Sequence, residues 1–528
     1  MYKKIDKLVD KIIPYLKVRD GLYCIFFMII LSFICGQLKQ YAPGLLKPIG
    51  WGYTILFLLI MAIVYSARWF KAKTGESLYK ALLSPDREGN IFQLLSRARN
   101  MYADSERNQS KGWNTTVDSD GIVLGKNELN QIITSPSNSE EHILCIGGSG
   151  SGKTSSVLIP TALQFNGGIY AIDISGDIYS NCKCKRDIAI LDPHSPNSVA
   201  FNVFAEVDAA KDKSEKIILL RELANLIVPE YVPEKIGDGV FFQAGAHSIF
   251  YSSLIYFYNK KMDFCEICYE VLNTSAKDLI RLLKDKNSPP NARLAIADFA
   301  DIKDVNLASM KQQMDSYIST FATSRPIKRT LHRDYGSGQE VISAKELETR
   351  DIFLCIPHSE IVFFAPLMRL ISGIVLDYCS NRPLYIEREL LICLDEFSSL
   401  GFIDIINPLA TLRKHSTRIL VATQSLADID NIYGITNRKV IFDNCRIKII
   451  LGAGDRDTQE YFSRLIGKQE VIKKTRTYTD GQARHTYTTV ERPIFAPEEL
   501  GYLRDDCIVL LPDGYLKLHK AYFFEGDF

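Results

Sequence analysis

The sequence predicts an α/β protein: a parallel sheet with helices on both faces, interrupted by an all-helical insertion and preceded by a hairpin of two transmembrane helices. Three observations predict it. Apolar, β-branched runs alternate with helical periodicity over residues 119–206 and again over 343–528, the pattern of parallel strands joined by crossover helices. Between them, over 207–342, strand signals disappear and helical spacing takes over. Near the start, residues 21–38 and 49–67 are two uncharged stretches, each close to the ~20 residues that span a bilayer.

Composition sets the bounds. At 528 residues the chain is too long for one simple core. A hydrophobic share of 46% and a charged share of 24% are ordinary for a globular protein. The net charge of +1 leaves no global basic field, so any nucleic-acid contact must come from local patches. The 12 cysteines are scattered, and Cys145, Cys355 and Cys393 sit inside apolar runs, which reads as reduced, buried cysteine. Cys182 with Cys184 and Cys265 with Cys268 suggest zinc, but no second Cys/His pair of finger spacing follows either.

Taken in order, residues 1–72 form the membrane hairpin. The first run, GLYCIFFMIILSFICGQL, lacks a small-residue cleavage site of the kind that ends a signal peptide. Positive charge is heavier before it (Lys3, Lys4, Lys7, Lys11) and after the second run (Arg68, Lys71, Lys73) than in the loop between, so both ends are expected in the cytoplasm. Neither run shows a polar face, which argues against a buried soluble hairpin. Residues 73–118 read as a juxtamembrane linker. Gly121–Gly125 is a short strand entering the main domain.

Ile143-Leu144-Cys145-Ile146 is an apolar strand followed by Gly147-Gly148-Ser149-Gly150-Ser151-Gly152-Lys153-Thr154 and then Ser155 and a helix. Gly147, Gly152, Lys153 and Thr154 satisfy G-x-x-x-x-G-K-[ST], the phosphate-binding loop. Glycines let the backbone wrap a phosphate with its N–H groups pointing inward. The helix that follows presents free N–H groups and its positive dipole end. Residues 147–155 are therefore candidates for binding ATP, with Lys153 on the β- and γ-phosphates and the Thr154 hydroxyl on Mg²⁺. Gly168–Asp173 and Ile188–Leu191 are the next strands.

In the helical insertion, Arg325, Lys328, Arg329 and Arg333 form a local basic cluster, either a solvated face or a phosphate contact. Sheet character returns at Asp351–Ile356, and a long apolar helix follows near Phe364–Tyr378. Leu390–Leu394 then runs into Asp395-Glu396, as a Walker B strand should: Asp395 for Mg²⁺ and Glu396 to polarise the attacking water. A helix over Ile405–Lys414 leads to the strand Arg418–Thr423, which ends in Gln424. If that strand lies beside the site, Gln424 senses the γ-phosphate. Arg446–Leu451 is another strand. Val471–Arg492 alternates around Asp480-Gly481, a hairpin signal. It carries Lys473, Lys474 and Arg476 with tyrosines interleaved, either a grip on single-stranded DNA or an exposed polar edge. Asp506–Leu511 and Leu516–Phe523 look like closing strands.

With these residues in order, the chain resembles the type IV coupling proteins, the TraD/TraG-like ATPases of conjugation and type IV secretion within the FtsK/HerA-like superfamily. The resemblance rests on the membrane hairpin, GGSGSGKT at Gly147–Thr154, DISGD at Asp173–Asp177, LDP at Leu191–Pro193 with FNVF at Phe201–Phe204, LDEFSSLG at Leu394–Gly401 and ATQSLADIDNIYG at Ala422–Gly434. It implies a RecA-like P-loop NTPase domain with an all-helical insertion, working as a hexameric ring in the inner membrane. It also implies partners: single-stranded DNA, a relaxase or relaxosome, and secretion-channel proteins. In the family an arginine from the neighbouring subunit completes the site, and Arg413 matches that position; its alternative role is to compensate a helix dipole. Two departures stand out. Ser175 occupies a position where members often carry lysine, and the loop between the membrane runs is very short.

Rival readings remain open. An FtsK-like translocase on double-stranded DNA would favour a larger membrane region and a C-terminal winged helix, for which little sequence follows the last strand. An ABC-type ATPase would need its signature loop, which Gly336-Ser337-Gly338-Gln339-Glu340 matches only faintly. A membrane receptor for protein cargo, with little DNA-dependent hydrolysis, sits poorly with an intact Lys153, Asp395, Glu396 and Gln424.

Overall fold

Strands whose residues are apolar on both faces must be covered on both, and the runs ILCIG, LLICL and the IFLC that follows Asp351 are all of this kind. The structure, a computed structural model, describes residues 121–528 apart from 137–139, 233–236, 301, 334–337, 385, 480–481 and 527. The expected membrane hairpin (21–38 and 49–67) and the 73–118 linker lie outside the described residues, which all belong to one compact unit.

The strands are β1 (Val123–Lys126), β2 (Ile132–Thr134), β3 (Ile143–Gly147), β4 (Gly168–Asp173), β5 (Ile188–Leu191), β6 (Ala200–Phe201), β7 (Val341–Ile342) and β8 (Asp351–Cys355), then β9 (Leu390–Leu394), β10 (Thr417–Thr423), β11 (Ile447–Gly452), β12 (Lys468–Thr479), β13 (Gln482–Pro493), β14 (Asp506–Leu511) and β15 (Gly514–His519). Eleven of them form one sheet in the order β2-β1-β15-β14-β11-β3-β10-β9-β4-β8-β5. From β11 to β5 every pairing is parallel; from β14 outward to β2 every pairing is antiparallel. The sheet is therefore mixed, with its parallel half covered on both faces.

Alternation along β3 divides the core. Leu144 and Ile146 face one side, and Ile143 and Cys145 the other. The second side holds α1 (Ile159–Gln164) and α2 (Asp177–Cys182). The first side carries the helical segment: α3 (Lys213–Ile227), α4 (Asp238–Asn259), α5 (Phe264–Asn273), α6 (Asp304–Thr323) and α7 (Arg325–Thr330), with shorter helices between. Close approach fixes two glycines there. A Cβ on Gly245 of α4 would stand 2.4 Å from Met310 Sδ of α6. Gly373, on α8 (Ile361–Ser380), faces Leu226 of α3 in the same way. With the turn that precedes it, α8 is the one helix among the described residues long and apolar enough to cross a bilayer. Phe364, Leu367, Ile371, Val375 and Cys379 are nonetheless buried in the protein core.

Three details differ from the sequence reading. The stretch read as all-helical to residue 342 ends in a strand, because β7 pairs with β6 and ties the two ends of the insertion together. β2, only three residues long, gave no alternation to read. The last strand runs from Gly514 to His519, and the aromatic residues to Phe523 that looked like its continuation form a turn. The described cysteines are free, and all but Cys184 are buried.

Candidate nucleotide-binding site

The loop Gly147–Thr154 leaves the C-terminal end of β3, in the middle of the parallel half of the sheet. Its fold needs its glycines. Gly150 and Gly152 have φ of 72° and 97°, where L side chains are strained. A Cβ on Gly147 would lie 2.2 Å from Ser151 Oγ. Gly148 N donates to Gly452 O on β11 at 2.9 Å, which pins the loop to its neighbour strand. A single π-helical turn, Thr154–Leu158, follows before α1 begins. Such turns often occur at functional sites. Ser156 N donates back to Gly152 O of the loop at 2.7 Å, and the N–H groups that open a helix are the ones with no preceding turn to bond.

The strand order brings the acidic motif and the glutamine to this loop. β10 lies directly between β3 and β9, with Thr423 level with Ile146 and Leu394 level with Val421, so all three strands end on the same side of the sheet as the loop. Lys153 is 5% exposed; its Nζ donates to Gly147 O at 2.8 Å and stands 3.6 Å from Glu396 Oε1. Thr154 Oγ1 donates to Asp395 Oδ2 at 3.3 Å. Glu396 N donates to Asp395 Oδ1 at 3.0 Å, and Gln424 Nε2 donates to Glu396 Oε2 at 2.8 Å. Glu396 has φ 46°, ψ 45°, a left-handed conformation uncommon outside glycine. That local strain turns its carboxylate back toward Lys153 and Gln424.

Asp395 is 3% exposed. Burial pushes its carboxyl up to about 7; repulsion from Glu396 and Asp173 adds to this, and Lys153 partly opposes it. Asp173, at the end of β4, is fully buried and its carboxyl is also raised by burial, although it accepts from Gly176 N at 2.9 Å and Tyr179 N at 2.8 Å. Sequence reading left the Asp173–Asp177 loop without a role. The structure makes Asp173 the cap that builds this loop and a third acidic group near the site; Ser175 merely accepts from Asp177 N. A buried cluster of carboxylates beside one lysine is what a cation would neutralise. The Ser151 Oγ is buried without a protein partner, an orphan donor inside the phosphate loop. These residues fit a nucleotide phosphate and a magnesium ion, with Thr154 and Asp395 placed to hold the metal.

Arg413 lies elsewhere in its own chain. It follows α9 (Ile406–Thr411) on a 3-10 turn before β10, at the N-terminal end of that central strand and so opposite the loop. Its Nη1 stands 3.5 Å from Glu141 Oε2, and Nη2 donates to Asn444 O. Arg446 Nη1 donates to the other oxygen of Glu141 at 2.7 Å.

The DNA candidates separate. Lys328 and Arg329 are exposed on α7, with Lys328 3.9 Å from Glu266 and Arg329 donating to Ser195 O at 2.9 Å. Arg333 is turned inward instead. It stands 3.5 Å from both Asp208 and Asp263, lies over the rings of Phe204 and Tyr258, and donates to Met262 O at 3.2 Å. The β12–β13 hairpin forms with continuous antiparallel register, and Lys473 on it is exposed; its tip and the side chains of Lys474 and Arg476 lie outside the described residues.

The sheet, the loop and the Walker B pair define a P-loop nucleotide-binding protein. The family described as type IV secretory system conjugative DNA transfer matches residues 91–528, and the chain belongs to it. It is 24% identical over 406 residues to protein VirD4 of Agrobacterium fabrum, covering 73% of this chain and 59% of that protein. It is 21% identical to the type IV secretion system-coupling protein VirD4 of Bartonella henselae, covering 72% of this chain and 63% of the relative. The chain thus spans about three-fifths of the length of these relatives. In fold it is similar to the bacterial conjugative coupling protein TrwB (TM-score 0.60, 17% identity, 78% of this chain and 89% of that one). TrwB in complex with ADP and Mg²⁺ is similar at a TM-score of 0.57 and 18% identity, covering 76% of this chain and 88% of that one.

Proposed function

We propose that the chain is an ATP-hydrolysing coupling protein that brings a DNA–protein substrate to a type IV secretion or conjugation channel. One observation carries this reading: Lys153, Thr154, Asp395, Glu396 and Gln424 meet within hydrogen-bonding or ion-pair distance at the ends of three adjacent strands. Family membership and the nucleotide complexes of TrwB support it.

In this reading Gly147–Ser155 cradle the phosphates of ATP, and Lys153 turns from Gly147 O and Glu396 to the β- and γ-phosphates. Bound Mg²⁺ would draw charge from the phosphate oxygens as the terminal bond breaks. Glu396, released from Lys153, accepts a proton from the attacking water at Oε1 while Gln424 holds its other oxygen and the water's position. Arg413 of a neighbouring subunit completes the site in a homo-oligomeric ring, a hexamer by resemblance. The motor is formed by 119–206 and 343–528, with 207–342 as the insertion and 73–118 as the linker. The hairpin of 1–72 anchors the ring in the inner membrane as a multi-pass segment, with the bulk of the chain in the cytoplasm. Single-stranded DNA with its relaxase passes through the ring to channel proteins, gripped by Lys328, Arg329, Lys473, Lys474 and Arg476.

The test is the ATPase rate of the full-length chain in detergent, with and without single-stranded DNA, beside Lys153→Ala. Stimulation by DNA that Lys153→Ala abolishes is the expected result. Hydrolysis indifferent to DNA would replace the DNA motor with a receptor for protein cargo. A rate unchanged by Lys153→Ala would refute the site.

A further inference from the structure

Beyond β15 the chain folds back as a strap that is fastened at both ends. Lys520 N donates to Asp505 O at 2.8 Å, Phe523 packs against the core, and Glu525 pairs with Lys126, buried on β1. Between these anchors the half-buried ring of Tyr522 is set against the phosphate loop. A side chain built on Gly152 would come within 3.3 Å of Tyr522 Cε1 and 3.6 Å of Ser155 Oγ. Phe524 stacks on Tyr522, with ring centres 5.1 Å apart and planes 18° apart, yet is 66% exposed. Burial does not account for two stacked rings held at the surface beside this loop.

The strand order gives the site a direction. Glu396 and Gln424 follow β9 and β10, on one flank of β3. The strap is reached on the other flank, through β11, β14 and β15. A nucleotide with its γ-phosphate at Lys153 and Glu396, and its phosphates laid along the loop, has its nucleoside end on the strap's side.

We propose that Tyr522, backed by Phe524, is the aromatic platform on which the nucleobase stacks. The inference rests on the nucleotide-binding reading above and adds the part of the site that holds the nucleoside. Stacking needs only a flat, uncharged π face, which every base offers. The phenol is kept neutral: burial, with Asp505 and Glu525 nearby, raises its pKa above the usual tyrosine value.

The experiment compares ATP with inorganic tripolyphosphate, titrated calorimetrically into the full-length chain. In Tyr522→Ala the Kd for ATP should rise about tenfold or more, the scale of one base–aromatic stack. The Kd for tripolyphosphate should stay at the wild-type value, and Tyr522→Phe should restore ATP binding. Equal weakening of both ligands would make Tyr522 a wedge that merely supports the loop, and no weakening of either would remove it from the site; each overturns the proposal. A wild-type chain that binds neither ligand would refute the nucleotide site itself, a different failure. Tyr522→Trp supplies a readout that does not depend on the alanine variant folding. Its fluorescence should be quenched by ATP and not by tripolyphosphate, and the same response to both would overturn the platform.

Discussion

Without a bound cation, Asp395 should destabilise the protein that holds it. Its side chain is 3% exposed, and burial with two acidic neighbours raises its carboxyl from 3.8 to about 7. The folded chain therefore holds that proton roughly a thousandfold more tightly than the unfolded chain, a difference on the order of 4 kcal/mol. The sign follows from the raised value. Folding is favoured below the unfolded value near 4, and this advantage is lost as pH rises through about 7. Asp395→Asn removes the charge, keeps the shape and leaves an oxygen to accept from Glu396 N. In EDTA at pH 8 the variant should melt above the wild type by on the order of 5 °C. Below about pH 4 the two should melt close together, because the carboxyl is then protonated in both states. Adding Mg²⁺ and ADP should raise the wild-type Tm and leave the variant's nearly unmoved. Thermal unfolding followed by near-UV circular dichroism reads all three. An Asn variant that melts below the wild type at pH 8, or above it by the same margin at both pH values, would refute the argument that the cluster waits for a cation.

Glu396→Gln should keep nucleotide affinity within a few fold and lower hydrolysis by about 10²- to 10⁴-fold, since the amide cannot take a proton from water; calorimetry and phosphate release separate the two effects. Arg333→Ala should lower stability by roughly 1–3 kcal/mol through the loss of its two carboxylate partners and ring contacts, while single-stranded DNA affinity and its salt slope stay at wild-type values. Gly245→Ala drives a methyl group into Met310 and should cost about 1–3 kcal/mol in unfolding experiments with ATP affinity unchanged.

Much of the site was legible because its chemistry sits at strand ends. Ile143–Gly147, Leu390–Leu394 and Thr417–Thr423 are apolar runs that each stop at the residue where function begins, so loop, carboxylate pair and glutamine could be placed on the page without coordinates. Their adjacency could not. That β10 inserts between β3 and β9, and so hands Gln424 to Glu396, is set by strand order, which no local pattern encodes. The role of Asp173 is not legible in the DISGD motif, because its effect on Asp395 is a matter of burial and proximity. Arg333 looked like part of a basic face because a linear cluster does not reveal that Asp208 and Asp263 converge on it from other helices. Tyr522 carried no signal at all: more than 350 residues separate it from the loop it touches.

Arg413 is where geometry within one chain meets the proposed ring. The arginine precedes β10 with three residues intervening and Gln424 follows it directly, so the seven-residue strand lies between them, alone roughly 23 Å at the rise of an extended chain. No rotamer carries Arg413 to its own phosphate loop. Two roles remain: service to a neighbour's site, or fastening the near ends of β3 and β10 through Glu141. Mixing separates them. Lys153→Ala subunits keep Arg413 and Arg413→Ala subunits keep Lys153. In a ring with head-to-tail interfaces, random equal mixing therefore gives about a quarter of interfaces both intact groups. Each variant alone should be inactive, and the mixture should recover ATPase in about that proportion. If Arg413→Ala lowers Tm and the mixture recovers nothing, the arginine is a fastener of its own chain, at the N-terminal ends of β3 and β10. The residue that neutralises the transition state in the neighbouring site must then be sought elsewhere.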